Sequence, residues 1–206
     1  MAFNPLRQHR LVAILVRFAL IFGLLIYPYR GLDEGYASYF RLLGTMVFDR
    51  DGDARVVRFE AHEIQHGFSI LSTQMLVANR GTVDANGRGK VLLVDLDTRS
   101  IGWIPTALTI ALVLATPIPW RRSVWALFWG LVLIHIFILF SLQVAIWDQW
   151  AELSFYAASP LWQKIVNALY YTLITQMGAS FAAPVVIWIA VTFRVAEERG
   201  LPAVSC

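Results

Sequence analysis

The feature that most constrains this chain is an apolar hairpin running from Ile101 to Trp147. Two hydrophobic runs, Ile101–Pro119 and Ser123–Trp147, are separated only by Pro117, Pro119 and the pair Arg121–Arg122. A helix needs about 20 apolar residues to cross roughly 30 Å of hydrocarbon, and both runs satisfy that length. So short a turn leaves the two helices antiparallel neighbours. Its two arginines place it on the cytoplasmic side, because short cytoplasmic loops carry the excess of basic residues.

That frame orients the remaining segments. Leu11–Tyr27 is apolar except for Arg17 and closes at Pro28. Arg7 and Arg10 precede it as a signal peptide's charged start would, but no small-x-small cleavage site follows. It reads as a retained first span with a cytoplasmic N-terminus. Ile165–Phe193 reads as a long fourth span, with Gly178, Ala179, Ala182 and Ala183 permitting close helix contact and Pro184 kinking it. The expected fold class is therefore a mainly α membrane protein with four transmembrane helices. A small extracytoplasmic antiparallel β-layer is inserted between helices one and two. The boundaries are 1–28 for the cytoplasmic tail and first span, 29–100 for the outer segment, 101–193 for spans two to four, and 194–206 for a cytoplasmic tail.

Charge supports this orientation. Seven arginines face two glutamates on the predicted cytoplasmic side, while ten basic and twelve acidic residues fall outside. The positive net charge thus reflects membrane orientation, and nucleic-acid binding gains no support from it. Membrane lipid and an integral-membrane protein are the expected partners. The one cysteine, Cys206, excludes an intrachain disulfide.

The outer segment is the one sizeable polar stretch. Asp33 is placed to cap a short helix over Glu34–Leu43, with Tyr36, Tyr39, Phe40 and Leu43 forming an aromatic stripe suited to the membrane interface. Thr45–Phe48 and Arg55–Ala61 read as strands flanking the turn Asp49-Arg50-Asp51-Gly52-Asp53. In the second run Val57, Phe59 and Ala61 alternate with Val56, Arg58 and Glu60. Phe68–Ala78 fits a strand or a helix, and Lys90–Thr98 is a clear strand, for about four strands in all. Beyond the third span, Trp147, Trp150, Tyr156 and Trp162 form an aromatic belt in the outer loop Asp148–Lys164.

One motif suggests chemistry. His62-Glu63-Ile64-Gln65-His66 has the HExxH spacing, which on a helix brings two histidines to one zinc ion while the glutamate activates a metal-bound water. On a strand the same histidines lie about 13 Å apart, too far for one metal. No third ligand follows at the usual spacing, and Asp84 is the nearest substitute. No cofactor is therefore expected. The zinc alternative uses His62, His66 and Asp84 as ligands and Glu63 as general base. Within the membrane, Arg17, His135, Gln143 and Gln176 are the notable polar groups. Arg17 reads as a snorkelling side chain, and His135 as a neutral imidazole bonded to another span. The spans carry no carboxylate, which weakens a proton-coupled transporter.

From Ser100 to Leu139 the chain resembles the membrane core of exosortase H-associated membrane proteins. The cues are the strand ending at Arg99-Ser100, then Ile104-Pro105, Leu114-Ala115-Thr116-Pro117 and the Arg121–Arg122 turn. The resemblance implies a non-catalytic accessory or assembly role beside an exosortase, an enzyme that cuts C-terminal sorting tails from exported proteins. It supplies no catalytic residues. A membrane-anchored zinc metallopeptidase and a small transporter are the alternatives.

Overall fold

In a computed structural model of the chain, residues 5–48, 55–62, 72–79, 91–153, 159–176 and 178–197 are described. Six α-helices and three strands occur among them. They are α1 (Pro5–Ile26), α2 (Arg30–Phe48), β1 (Arg55–His62), β2 (Ser72–Asn79), β3 (Val91–Asp97), α3 (Ile104–Ala115), α4 (Trp120–Glu152), α5 (Pro160–Tyr170) and α6 (Gly178–Glu197). Short π-helical turns, Arg99–Trp103 and Tyr171–Thr175, precede α3 and follow α5. The chain is mainly helical with a small antiparallel sheet. It divides into two units, one of residues 1–27, 104–136 and 181–206, the other of residues 28–103 and 137–180.

In the first unit α1 packs on α3. Eight of the twelve residues of α3 are buried, among them Ala107, Ala111, Val113 and Ala115. Val113 joins Ala126 and Val191 in a core to which Ile118, Leu127, Leu133, Ile187 and Trp188 add their side chains. α4 meets α3 at Gly130, where an added Cβ would sit 3.1 Å from the Thr109 methyl. Thr109 turns its hydroxyl onto the Pro105 carbonyl at 2.9 Å, a bond within its own helix. At Gly178 nothing lies within 4 Å of an added Cβ. Of the small residues expected to permit close helix contact on the fourth span, Gly178 meets no described neighbour, whereas Gly130 of α4, not expected to pack closely, does.

Proline decides where the second apolar run stops. A residue preceding proline is pushed away from helical geometry, and α3 ends at Ala115, short of the Pro119 expected from sequence. Thr116 folds back, its hydroxyl donating to the Leu112 carbonyl at 2.7 Å and accepting from the Trp188 indole N–H at 2.9 Å. Pro119 then opens the next helix, its carbonyl accepting from the amides of Arg122 at 2.9 Å and Ser123 at 3.0 Å. With its π-turn, the second run forms an apolar helix over Arg99–Ala115. Among the described residues α4 alone is long and apolar enough to cross a membrane, whereas α1 with α2 and α5 with α6 qualify only as broken pairs.

The fourth span, expected as one helix over Ile165–Phe193, is thus two pieces. The π-turn closes with the Gln176 amide donating to the Tyr171 carbonyl at 2.8 Å, and Gln176 itself is extended. Thr172 back-bonds to the Ala168 carbonyl at 2.8 Å, a contact that weakens helical continuity, just before β-branched Ile174 and Thr175.

In the second unit the sheet has the order β1-β2-β3, antiparallel throughout. Val57 pairs with Val77 and Phe59 with Met75; Met75 then pairs with Val94 and Thr73 with Leu96. These residues share the inner face. Val57, Phe59, Met75, Val77 and Leu96 are buried there, whereas Arg58 and Glu60 are exposed, as the alternation predicts. Phe68–Ala78 resolves as a strand from Ser72 onward. The expected strand at Thr45–Phe48 is instead the last turn of α2. Tertiary packing overrides β-propensity there: Gly44 lets the Phe59 ring approach to 3.0 Å of its missing Cβ, and Phe48 lies 6.3 Å from the same ring.

Candidate functional site

The junction between β3, α2 and the π-turn is the best-defined feature of the second unit. Asp97, the last residue of β3, organises it. One carboxylate oxygen accepts from the backbone amides of Arg99 at 3.0 Å and Ser100 at 3.3 Å, and the other from the Ser100 hydroxyl at 2.5 Å. This is an N-cap, which satisfies amides left open at a helix start. Strand therefore passes into helical turn with no linker. Beside it Thr73 and Thr98 share a buried hydroxyl–hydroxyl hydrogen bond of 3.0 Å.

α2 closes over this corner. Its buried face carries Asp33, Ala37, Phe40 and Gly44. Tyr36 lies between Tyr39 and Trp103, at ring distances of 5.9 Å and 5.1 Å. Gly102 allows this packing, because an added Cβ would stand 2.8 Å from the Tyr36 ring and 3.1 Å from Phe40. Asp33, Tyr36, Ala37, Thr98, Arg99 and Trp103 line a cleft with a volume of about 10 Å³. That is room for the centre of about one water-sized group. Asp33 was expected to cap a helix at Glu34; α2 begins earlier, at Arg30, so Asp33 lies inside its first turn and is buried.

Of the sequence-predicted site residues, His62, Arg17, His135, Gln143 and Gln176 are among the described residues. His62 closes β1 opposite Ser72, so the HExxH motif starts on a strand. Glu63, His66 and Asp84 lie outside the described residues, as does the turn at Asp49–Asp53. Among the described residues no three His, Cys, Asp or Glu side chains gather as metal ligands. Arg17 is exposed on α1. His135 is half-buried on α4, and its Nδ1 bonds the Leu131 carbonyl at 2.7 Å, one turn back on its own helix. Since a carbonyl only accepts, Nδ1 carries the proton in that bond. Gln143 is half-buried on α4, and Gln176 is exposed beyond the π-turn. Of the outer belt, Trp147 and Trp162 meet edge to face at 5.7 Å, and α4 continues through Asp148 to Glu152. The expected loop is shorter for that reason, and Ser159 caps α5 by accepting from the Trp162 amide at 3.3 Å.

Sequence reading did not single out Asp97, the Thr73–Thr98 pair, Gly102 or Gly130. Asp97 followed two residues later by Arg99-Ser100 at the head of an apolar run carries a cap signal. The two glycines carry none, because what makes them necessary is a ring or a methyl group brought from elsewhere in the chain.

These elements define a membrane-associated helical protein that carries a small antiparallel sheet capped directly onto an apolar helix. The chain belongs to the family described as exosortase H-associated membrane protein, whose family model matches residues 53–195. The match takes in all three strands, α3, α4, α5 and most of α6. No curated protein and no solved structure matches the chain.

Proposed function

We propose that the chain is a non-catalytic accessory or assembly subunit of an exosortase-type protein sorting system in the bacterial inner membrane. Its family membership carries the reading, since the family is named for association with an exosortase. By length and apolar character the described helices give one to three passes, α4 and the broken pairs α1–α2 and α5–α6; the four-pass reading takes α1 to cross without α2 and adds the shorter Arg99–Ala115 helix. Both termini are then cytoplasmic, and residues 29–100 form the extracytoplasmic layer, with 101–193 holding the later spans. The partner is an integral-membrane exosortase, met through the membrane and the outer layer together.

The test is deletion and complementation in the native host. Loss of the chain should impair removal of exosortase-dependent sorting tails, and a tagged copy should recover the exosortase from mildly solubilised membranes. Unimpaired processing with no exosortase recovered would refute the proposal. Glu63→Gln separates the metallopeptidase alternative, because it removes a general base while keeping size and polarity. The accessory role requires this variant to complement fully; a folded but inactive variant with stoichiometric zinc would make the chain an enzyme.

A further inference from the structure

We infer that α2 lies in the plane of the membrane interface, with one face under the sheet and the opposite face in the lipid. The inference rests on the membrane-spanning reading of α1 given above. At 100° per residue the buried positions Asp33, Ala37, Phe40 and Gly44 fall on one side of α2. The diametrically opposite side holds Gly31, Leu32, Gly35, Ser38, Tyr39, Leu42 and Met46, without a single charge. Leu42 is 55% exposed and Met46 75%. The described charges at the surface, Glu34 and Arg41, fall together on one flank between the two faces. A helix whose outer face met water would carry its charges there; one lying in the interface buries an apolar face about 5–10 Å deep and keeps its charges to the side.

Chain continuity selects lipid as the occupant. Only Tyr27, Pro28 and Tyr29 separate α1 from α2, so the start of α2 is held within about 15 Å of the end of α1. Leu15, Leu20 and Leu24 of α1 are each more than 60% exposed, as on the surface of a helix set in lipid. The aromatic rings of Tyr27, Tyr29 and Tyr39, all exposed, mark the headgroup level along the same run. The stripe expected from sequence included Tyr36 and Phe40, but those rings turn inward to Trp103 and Gly102. The lipid-facing set is instead Tyr39, Leu42 and Met46.

Single cysteines at Leu42, Met46, Leu93 and Leu20, in a Cys206→Ser background, carry an environment-sensitive fluorophore. The full chain is placed at one copy per nanodisc of phosphatidylethanolamine and phosphatidylglycerol. Leu93 reports the outer sheet face, where it is 57% exposed, and Leu20 reports α1. Labels at Leu42 and Met46 should be quenched by shallow doxyl lipids several-fold more than the label at Leu93, and little by aqueous iodide. Iodide-accessible labels at both α2 positions beside a lipid-quenched Leu20 label would overturn the inference. Protection that appears only with two copies per disc, or only in native membranes, would do the same and assign the face to a protein. An unquenched Leu20 label would remove the spanning of α1 and the inference with it. No exosortase is present, so this result stands apart from the outcome of the complementation test.

Discussion

Replacing Gly102 by alanine tests whether the corner between α2 and the π-turn is as tightly closed as the structure requires. The new methyl carbon would stand 2.8 Å from Tyr36 and 3.1 Å from Phe40, against an ordinary carbon contact of about 3.5–4.0 Å. Neither ring can retreat easily: Tyr36 is held by Trp103 and Tyr39, and Phe40 is only 1% exposed. Overpacking of this kind costs about 1–3 kcal/mol. Alanine returns about 0.5–1 kcal/mol through its better helical propensity. A net loss centred on about 1 kcal/mol and reaching about 2.5 kcal/mol follows, which is a factor of roughly 5, rising to about 70, in the local opening equilibrium. Hydrogen exchange of the β1 and β2 amides, measured on the full chain in detergent micelles, reads that factor directly. Gly23→Ala is the control, since nothing lies within 4 Å of a Cβ at Gly23. In a Tyr36→Leu background the cost at Gly102 should shrink, giving a measurable coupling. Unchanged or increased protection in Gly102→Ala, or a cost indifferent to Tyr36, would refute the reasoning.

Gly130→Leu should destabilise the helical unit by about 1–3 kcal/mol through collision with the Thr109 methyl, whereas Gly178→Leu should leave detergent melting unchanged. Thr73→Val strands the Thr98 hydroxyl in a dry site and should cost about 1–3 kcal/mol; adding Thr98→Val should recover most of it in the same exchange measurement. Cysteines at Gly52, Gly87 and Ser154, in a Cys206→Ser background, should react with an impermeant thiol reagent in intact cells while one at Arg121 is protected; the reverse pattern would invert the topology.

Much of this fold was legible because its signals are local. Alternation at Val56–Glu60 announced which side of β1 is buried, and Pro117, Pro119 and Arg121–Arg122 announced a turn between helices. What escaped depends on partners distant in sequence. Thr45–Phe48 is apolar and partly β-branched, so it reads as a strand, yet Gly44 and Phe48 reach Phe59 only if the helix continues. The small residues around Gly178 had the spacing of a helix contact but lack a neighbour at Gly178, while Gly130, flanked by large residues, has one in Thr109. The family resemblance was carried by the hairpin after Ser100, and the match extends it back across the sheet to residue 53. The chemistry of the HExxH motif was the least legible, because its geometry turns on whether residues beyond His62 coil or extend.

The cap at Asp97 has a consequence for how the chain tolerates change in length. A strand repeats its facing every two residues and a helix every 3.6. Where a loop joins the two, an extra residue is lost in slack. Here Asp97 ends β3 and holds the amides of Arg99 and Ser100 at once, so the phase of the sheet is keyed to that of the π-turn Arg99–Trp103. One residue inserted between Thr98 and Ile101 would advance Gly102 and Trp103 by about 100° relative to the strand. The joint behaves as a splined shaft, and length variants in this stretch would turn Gly102 and Trp103 away from Tyr36.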